Sequence, residues 1–237
     1  MHLNDSFTTS GLRQQLQRLY LWGCERLYAE LAWSYDPVSW LVSWGAWSQW
    51  RASAFAYIRG PRVLEIGFGT GVLLAALAAA QRYQVVGLEL SPAMQRLTLR
   101  RLQRRGLTVS RIQATAQQMP LADSSFDTIV ATFPSNYIFD PATLRECRRL
   151  LRPATADDPG GRLVIVMGAN APRSPLSMVL RLLTPRQPAA PAAHERWRAP
   201  FTAAGLTVNE VAHPVGNAVV HLLLATPHRV VAQEPLP

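Results

Sequence analysis

The chain contains no lysine: its basic residues are all arginines, and Lys+Arg of 24 against Asp+Glu of 15 gives a formal net charge of +9. Complete avoidance of one basic residue type points to a coding bias of the source. Charge alone is then a weak guide to partners. Cysteine is scarce too. Cys24 and Cys147 lie far apart and neither belongs to a CxxC pair, so the sequence offers no metal cluster and no disulfide framework. No uncharged apolar run reaches the roughly 18 residues that span a bilayer. The longest candidate, Pro37 to Trp50, is too short and carries several serines. The N-terminus lacks the charged-then-apolar layout of a signal peptide. These absences lead to an expected cytoplasmic location, with contact at a membrane surface left open. Internal repeats are also missing.

What is present is an ordinary globular composition, 49% hydrophobic and 16% charged over 237 residues, enough for one domain with an extension. Residues 1–60 read as an N-terminal helical extension. Leu12, Leu16, Leu19, Tyr20, Trp22, Leu27 and Leu31 recur at helical spacing. Trp40, Trp44 and Trp47 recur at i, i+4 and i+7, which puts them on one helix face. That face either packs the extension on the rest of the chain, or lines an apolar pocket or a membrane interface.

From Arg62 the pattern alternates strand and helix through residue 228. Strands are expected at Arg62–Ile66, Gln84–Glu89, Thr108–Gln113, Phe126–Thr132, Arg162–Met167, Leu206–Val211 and Val219–Ala225. Helices are expected at Gly71–Ala80, from Pro92 to about Gly106, and at Pro141–Leu151, Leu176–Leu183 and Ala193–Ala204. Ser91 suits an N-cap, Pro92 the first turn and Gly106 the end of the second helix. Alternation of this kind specifies an α/β, doubly wound, mostly parallel seven-stranded sheet of Rossmann-like type. The segment from Thr184 to Ala193 reads as a loop, and 229–237 as a frayed tail.

The chemistry sits in Val63-Leu64-Glu65-Ile66-Gly67-Phe68-Gly69-Thr70-Gly71. Glycines let the backbone turn sharply and lie against a ligand, and the following helix offers free N–H groups. A dinucleotide fold uses GxGxxG to clasp a pyrophosphate. Here the spacing is GxGxG and a carboxylate, Glu65, stands two residues ahead of the first glycine. An acid there opposes a pyrophosphate and suits a ligand with an ammonium group. Glu89 ends the second strand, where a carboxylate can take both hydroxyls of a ribose.

This constellation resembles the class I S-adenosylmethionine-dependent methyltransferases over roughly Tyr35 to Ala225. Further matches are the segment from Gln117 to Asp127, with its Ser125-Phe126-Asp127 ending, and the run from Leu144 through Leu151-Arg152-Pro153 to Gly160-Gly161-Arg162-Leu163. In that turn Ala154–Pro159 is an insertion relative to the common pattern. The resemblance implies S-adenosyl-L-methionine as cofactor and S-adenosyl-L-homocysteine as product. It puts Glu65 and Gly67 at the methionine part, Gly69 against the cofactor's backbone path, Glu89 at the ribose and Leu90 on the adenine face. Thr115 and Ala116 fall at the adenine edge; many members have an acid where Thr115 stands. Thr132 and the residues after it, through Tyr137, fall nearest the transferred methyl, with Phe133 and Tyr137 as pocket walls. DNA amino-methyltransferases carry an Asn-Pro-Pro-Tyr-like run there, and this order is missing.

Tyr35-Asp36-Pro37-Val38-Ser39-Trp40, Ser43-Trp44-Gly45 and Trp50-Arg51 resemble the leading segment of quinone-biosynthesis C-methyltransferases. By that resemblance Tyr35 closes over the cofactor's carboxylate end. Phospholipid N-methyltransferases have a similar Tyr-Asp start. The implied acceptor is a small, lipophilic molecule, a quinone-type carbon or a phospholipid amine. The apolar stretch Pro175–Leu183 adds to this. Tyr137 and His221 are the candidate catalytic residues, with His213 also near the last two strands. Arg96, Arg100, Arg101, Arg104, Arg105 and Arg111 form the densest basic run, either a solvated helix face or a patch for anionic headgroups or nucleic acid. No aromatics interleave with them, which counts against single-stranded nucleic acid. RNA or protein methylation, and a non-catalytic cofactor-binding partner protein, remain as alternatives. The sequence leaves the oligomeric state open.

Overall fold

The computed structural model describes residues 47–170 and 198–228. Tyr35, Trp40, Trp44, the apolar stretch Pro175–Leu183 and the tail lie outside those residues. A short helix α1 (Trp47–Ala52) and a 3₁₀ turn (Ser53–Tyr57) lead into the alternating part. There follow β1 (Arg62–Ile66), α2 (Val72–Ala79), β2 (Gln84–Leu88), α3 (Pro92–Arg104), β3 (Ser110–Ile112), β4 (Thr128–Thr132), a 3₁₀ turn (Asn136–Phe139), α4 (Pro141–Leu150) and β5 (Arg162–Asn170). A helix described over 198–203 precedes β6 (Leu206–Val215) and β7 (Ala218–Pro227).

The strands form one seven-stranded sheet in the order β3-β2-β1-β4-β5-β7-β6. The first five run parallel, and β7 lies antiparallel to both β5 and β6. The expected doubly wound, mostly parallel, Rossmann-like sheet is therefore the observed one. The chain order reverses between β1 and β4, and in open α/β sheets the crevice at such a switch point holds the ligand.

Both sheet faces are covered, which is why the central strands read as continuous apolar runs. Leu64, Ile66, Ile129, Leu163 and Ile165 face one cluster with Leu144, Cys147, Leu150 and Phe201. Their neighbours Val63, Val130, Val164 and Val166 face a second cluster with Leu73 and Leu77, against which Trp50, Phe55 and Tyr57 pack. The residues from Trp47 to Ile58 thus cover the second face. Each fully buried Leu or Ile contributes about 2 kcal/mol.

Several strand boundaries differ from expectation. Strand β4 starts at Thr128, because Phe126 makes an isolated bridge to Leu151 and Asp127 is engaged by arginines. Strand β3 is short, with Thr108, Val109 and Gln113 outside it. Strands β5, β6 and β7 run past their expected ends because the β6–β7 hairpin, closed by Gly216 at φ +55°, extends beyond the sheet's parallel part and carries β5 with it to Asn170. Among the described residues no helix is long and apolar enough to cross a membrane.

Candidate active site

A cavity of about 810 Å³ opens at the carboxyl ends of β1, β2 and β4. The structure brings Gly67, Gly69, Glu89, Leu90, Thr115, Ala116, Thr132 and Tyr137 together on its lining. Arg51 lines it from α1, a residue noted in the sequence only as part of the Trp50-Arg51 pair.

The glycine turn is held in one shape. Gly67 has φ +65°, and a Cβ there would run into the Tyr137 hydroxyl. Gly69 has φ +54° with open space where a Cβ would stand, so the backbone is bare toward the cavity. Its N–H donates to Glu89 Oε2 at 3.0 Å and its carbonyl accepts from Thr98 Oγ1 at 2.9 Å. The Ser91 N–H donates to Glu89 Oε1 at 2.8 Å. Two backbone donors thus fix the Glu89 carboxylate at the end of β2, and each oxygen keeps a lone pair for a ligand.

Glu65 lies behind this turn, 1% exposed, with no hydrogen-bond partner for either carboxylate oxygen. Burial pushes its carboxyl up to about 8, Arg51 opposes the rise and Glu89 adds to it. A buried, unpartnered carboxyl costs free energy unless something else satisfies it. A cationic ligand group is the missing partner that this chemistry calls for.

The acceptor side is built from the residues after β4. Phe133 has φ +49°, a left-handed backbone that costs a non-glycine residue about 1 kcal/mol. The Phe133 N–H is tied to the Val166 carbonyl at 2.7 Å, and its ring meets Trp47 edge-on at 4.9 Å. Trp47 therefore packs behind Phe133 and is not itself on the cavity lining. Tyr137 donates its hydroxyl proton to the Ile66 carbonyl at 3.3 Å. Burial first, then the charge of Glu89, raises its pKa above the usual phenol value. It stays protonated at neutral pH and closes the cavity floor.

The two histidines are separated by the sheet. His213 packs on Tyr57, with Nδ1 3.0 Å from the hydroxyl and the rings 5.5 Å apart. His221 is outside the cavity lining; near the start of β7 it bonds Glu210 and Asn170. Among the described residues no cluster of three or more His, Cys, Asp or Glu could hold a metal ion.

S-adenosyl-L-methionine fits this donor set. The orphaned Glu65 carboxyl suits its positive charge, the bare Gly69 backbone leaves it room, and the pinned Glu89 carboxylate suits ribose hydroxyls. Leu90, 59% exposed at the rim, and Ala116 offer apolar surfaces to a flat base.

Comparisons with known proteins agree with this geometry. A family model described as a methyltransferase domain matches residues 63–154. The chain is 32% identical over 161 residues to a demethylmenaquinone methyltransferase of Thermus thermophilus, covering 66% of this chain and 70% of the relative. It is 29% identical over 162 residues to the ubiquinone/menaquinone biosynthesis C-methyltransferase UbiE of Proteus mirabilis, covering 65% of this chain and 62% of that protein. In fold it is similar to a SAM-dependent methyltransferase from Aquifex aeolicus, with TM-score 0.52 and 18% identity, over 76% of this chain and 89% of that one.

Proposed function

This chain belongs to the class I S-adenosylmethionine-dependent methyltransferases, and we propose on that premise that it methylates a ring carbon of a small, lipophilic, quinone-type acceptor. The observation that carries this reading is the 32% identity to a demethylmenaquinone methyltransferase. The apolar character of the cavity, with Phe68, Leu88, Met94, Phe133 and Pro134 on its lining, supports it.

When bound, the cofactor supplies a methyl group on a positively charged sulfur, a strong electrophile. The protein's work is then alignment and exclusion of water. Glu65 would oppose the cofactor's positive charge from beneath the glycine turn. Glu89 would hold the ribose through its two fixed oxygens, and Leu90, Thr115 and Ala116 would bracket the adenine. Thr132 and Phe133 would border the reacting methyl. Tyr137 keeps its proton on the Ile66 carbonyl and holds Gly67 in place. In this reading Tyr35, in the leading segment, closes the carboxylate end.

The test is transfer of label from methyl-labelled cofactor to a short-chain 1,4-naphthoquinol with a free ring C–H, beside phosphatidylethanolamine and total RNA as competing acceptors. Label on the ring carbon supports the reading. Label confined to the phospholipid amine or to RNA overturns it.

A further inference from the structure

Beyond the cavity, β5 and β7 carry a polar array that the cofactor site does not use. Thr132, on the cavity lining, pairs with Val166 of β5. Past a bulge between Val166 and Gly168, Gly168 pairs with His221 of β7. His221 is therefore two strands over from Thr132, across β5, and lies past the level of Val166 toward the open end of the sheet. Side chains alternate along a strand. His221 thus shares its face with Leu223, in the cluster against which Tyr137 and Met167 pack.

The imidazole is bracketed at both nitrogens. Nδ1 lies 3.2 Å from Glu210 Oε1, and Nε2 lies 2.9 Å from Asn170 Nδ2. An ionised carboxylate can only accept. Nδ1 therefore carries the proton, and Nε2 keeps the lone pair that takes the Asn170 amide N–H. From β6 the facing residues are Glu210 and, directly opposite, Ala212; from β5 they are Asn170 and Gly168. Side-chain exposure of 35% for both His221 and Glu210 leaves the pair within reach of a ligand. An imidazole oriented by a carboxylate at one nitrogen, with only a side-chain amide on the other, has the arrangement of a general base. Tyr137 cannot fill that role, because its phenol is held protonated and its hydroxyl is engaged by Ile66.

We propose that His221 is the base that takes the hydroxyl proton of a phenolic acceptor, and that Glu210 is the residue that positions it. The proposal rests on the ring-carbon reading above and requires the acceptor in its reduced, dihydroxy form. The proton leaves the acceptor hydroxyl for Nε2, and its electron pair passes through the ring to the carbon. That carbon takes up the methyl group as the methyl–sulfur bond breaks and the sulfur keeps that bond's pair. The ring C–H proton then leaves and the hydroxyl is restored, so the net products are methylated phenol, neutral thioether and one proton. Asn170 holds Nε2 until the acceptor hydroxyl replaces it.

The test compares wild type, His221→Gln, His221→Ala and Glu210→Gln on the short-chain 1,4-naphthoquinol, with cofactor affinity by calorimetry for each. Expected is a kcat loss of about 100-fold or more for His221→Gln, within the range for general bases, at unchanged cofactor affinity. The acid limb of the wild-type pH–rate profile should vanish in that variant, added imidazole should restore His221→Ala, and Glu210→Gln should lose kcat more than KM. Wild-type turnover matched by all variants overturns the base and leaves the acceptor reading standing. Lost cofactor affinity in both His221 variants also overturns it, because the role is then structural. No label on the naphthoquinol from wild type overturns the acceptor reading and the base together.

Discussion

The Glu89 carboxylate accepts the N–H of Gly69 at 3.0 Å, so the end of β2 and the glycine turn after β1 are one hydrogen-bonded unit. With Ser91 N–H on the other oxygen, the carboxylate is fixed before any ligand arrives. Preorganisation of this kind saves the entropy of ordering a flexible acid at the moment of binding. Glu89→Ala removes the ribose acceptor and also frees the Gly69 N–H. The expected loss is about 2 kcal/mol, roughly 30-fold in cofactor affinity. Isothermal calorimetry checks it, and unchanged affinity would remove Glu89 from the site.

Glu65 makes cofactor binding depend on pH. Its folded carboxyl stands at about 8 against an ordinary 4.5. The free folded protein therefore holds a proton that the unfolded chain has released between those values, and stability falls as pH rises through that window. The change is about 3 kcal/mol between pH 5 and pH 8. A cationic ligand favours the ionised form, so binding should release a proton and affinity should rise with pH up to about 8. Calorimetry in two buffers of different ionisation enthalpy counts that proton. Glu65→Gln should abolish the release and flatten the stability slope; a proton count of zero in the wild type would refute the coupling.

The fold was readable because each central strand is buried on both faces. A run such as Arg62–Ile66 then carries apolar residues toward both faces, Val63, Leu64 and Ile66, and the glycines after it mark the turn. The cavity residues Glu89 and Thr132, and Glu65 buried behind the glycine turn, followed from the strand ends, since each sits where a strand stops or nearly stops. What the sequence hid are contacts across long separations. Nothing near Trp50 says that Arg51 reaches the cavity, and nothing near Thr98 says that its hydroxyl supports Gly69. The β6–β7 extension was hidden as well. Glu210, Ala212 and Pro214 are exposed and break the apolar pattern, while the ladder itself continues. His221 was visible as a histidine, but its pairing with Glu210 depends on that antiparallel register.

Thr98 is fully buried, and its hydroxyl donates to the Gly69 carbonyl at 2.9 Å. Thr98→Val keeps the shape and removes the donor, which leaves that carbonyl unsatisfied. The expected cost is about 1 kcal/mol of stability, read by urea unfolding. A further few-fold loss of cofactor affinity should appear in calorimetry, because the turn that presents Gly69 loosens. If stability drops while affinity holds, Thr98 serves the fold and leaves the turn's shape to Glu89.

Asp127 ties the start of the sheet together. Its carboxylate receives Arg62 Nε at 3.1 Å and Nη2 at 2.8 Å, the Arg62 N–H at 3.0 Å, and Arg152 Nε at 3.2 Å. Arg152 also pairs with Asp158, which lies in the inserted turn. The hydrogen bonds from Arg62, more than any other cause, hold the Asp127 carboxyl below its ordinary range. Because the folded value is depressed, this contribution is present above the unfolded value of about 3.8 and is lost as pH falls below it. The carboxylate is buried but both guanidinium groups are about one-third exposed, so the network lies between the surface and core cases. Asp127→Ala should cost about 2 kcal/mol near pH 7 and progressively less as acid protonates the wild-type carboxylate. Thermal melts of both proteins from pH 7 down to pH 3 check the convergence. Parallel curves over that range would show that Asp127 acts through its packing, close over Gly60 where a Cβ would collide with it, and not through its charge.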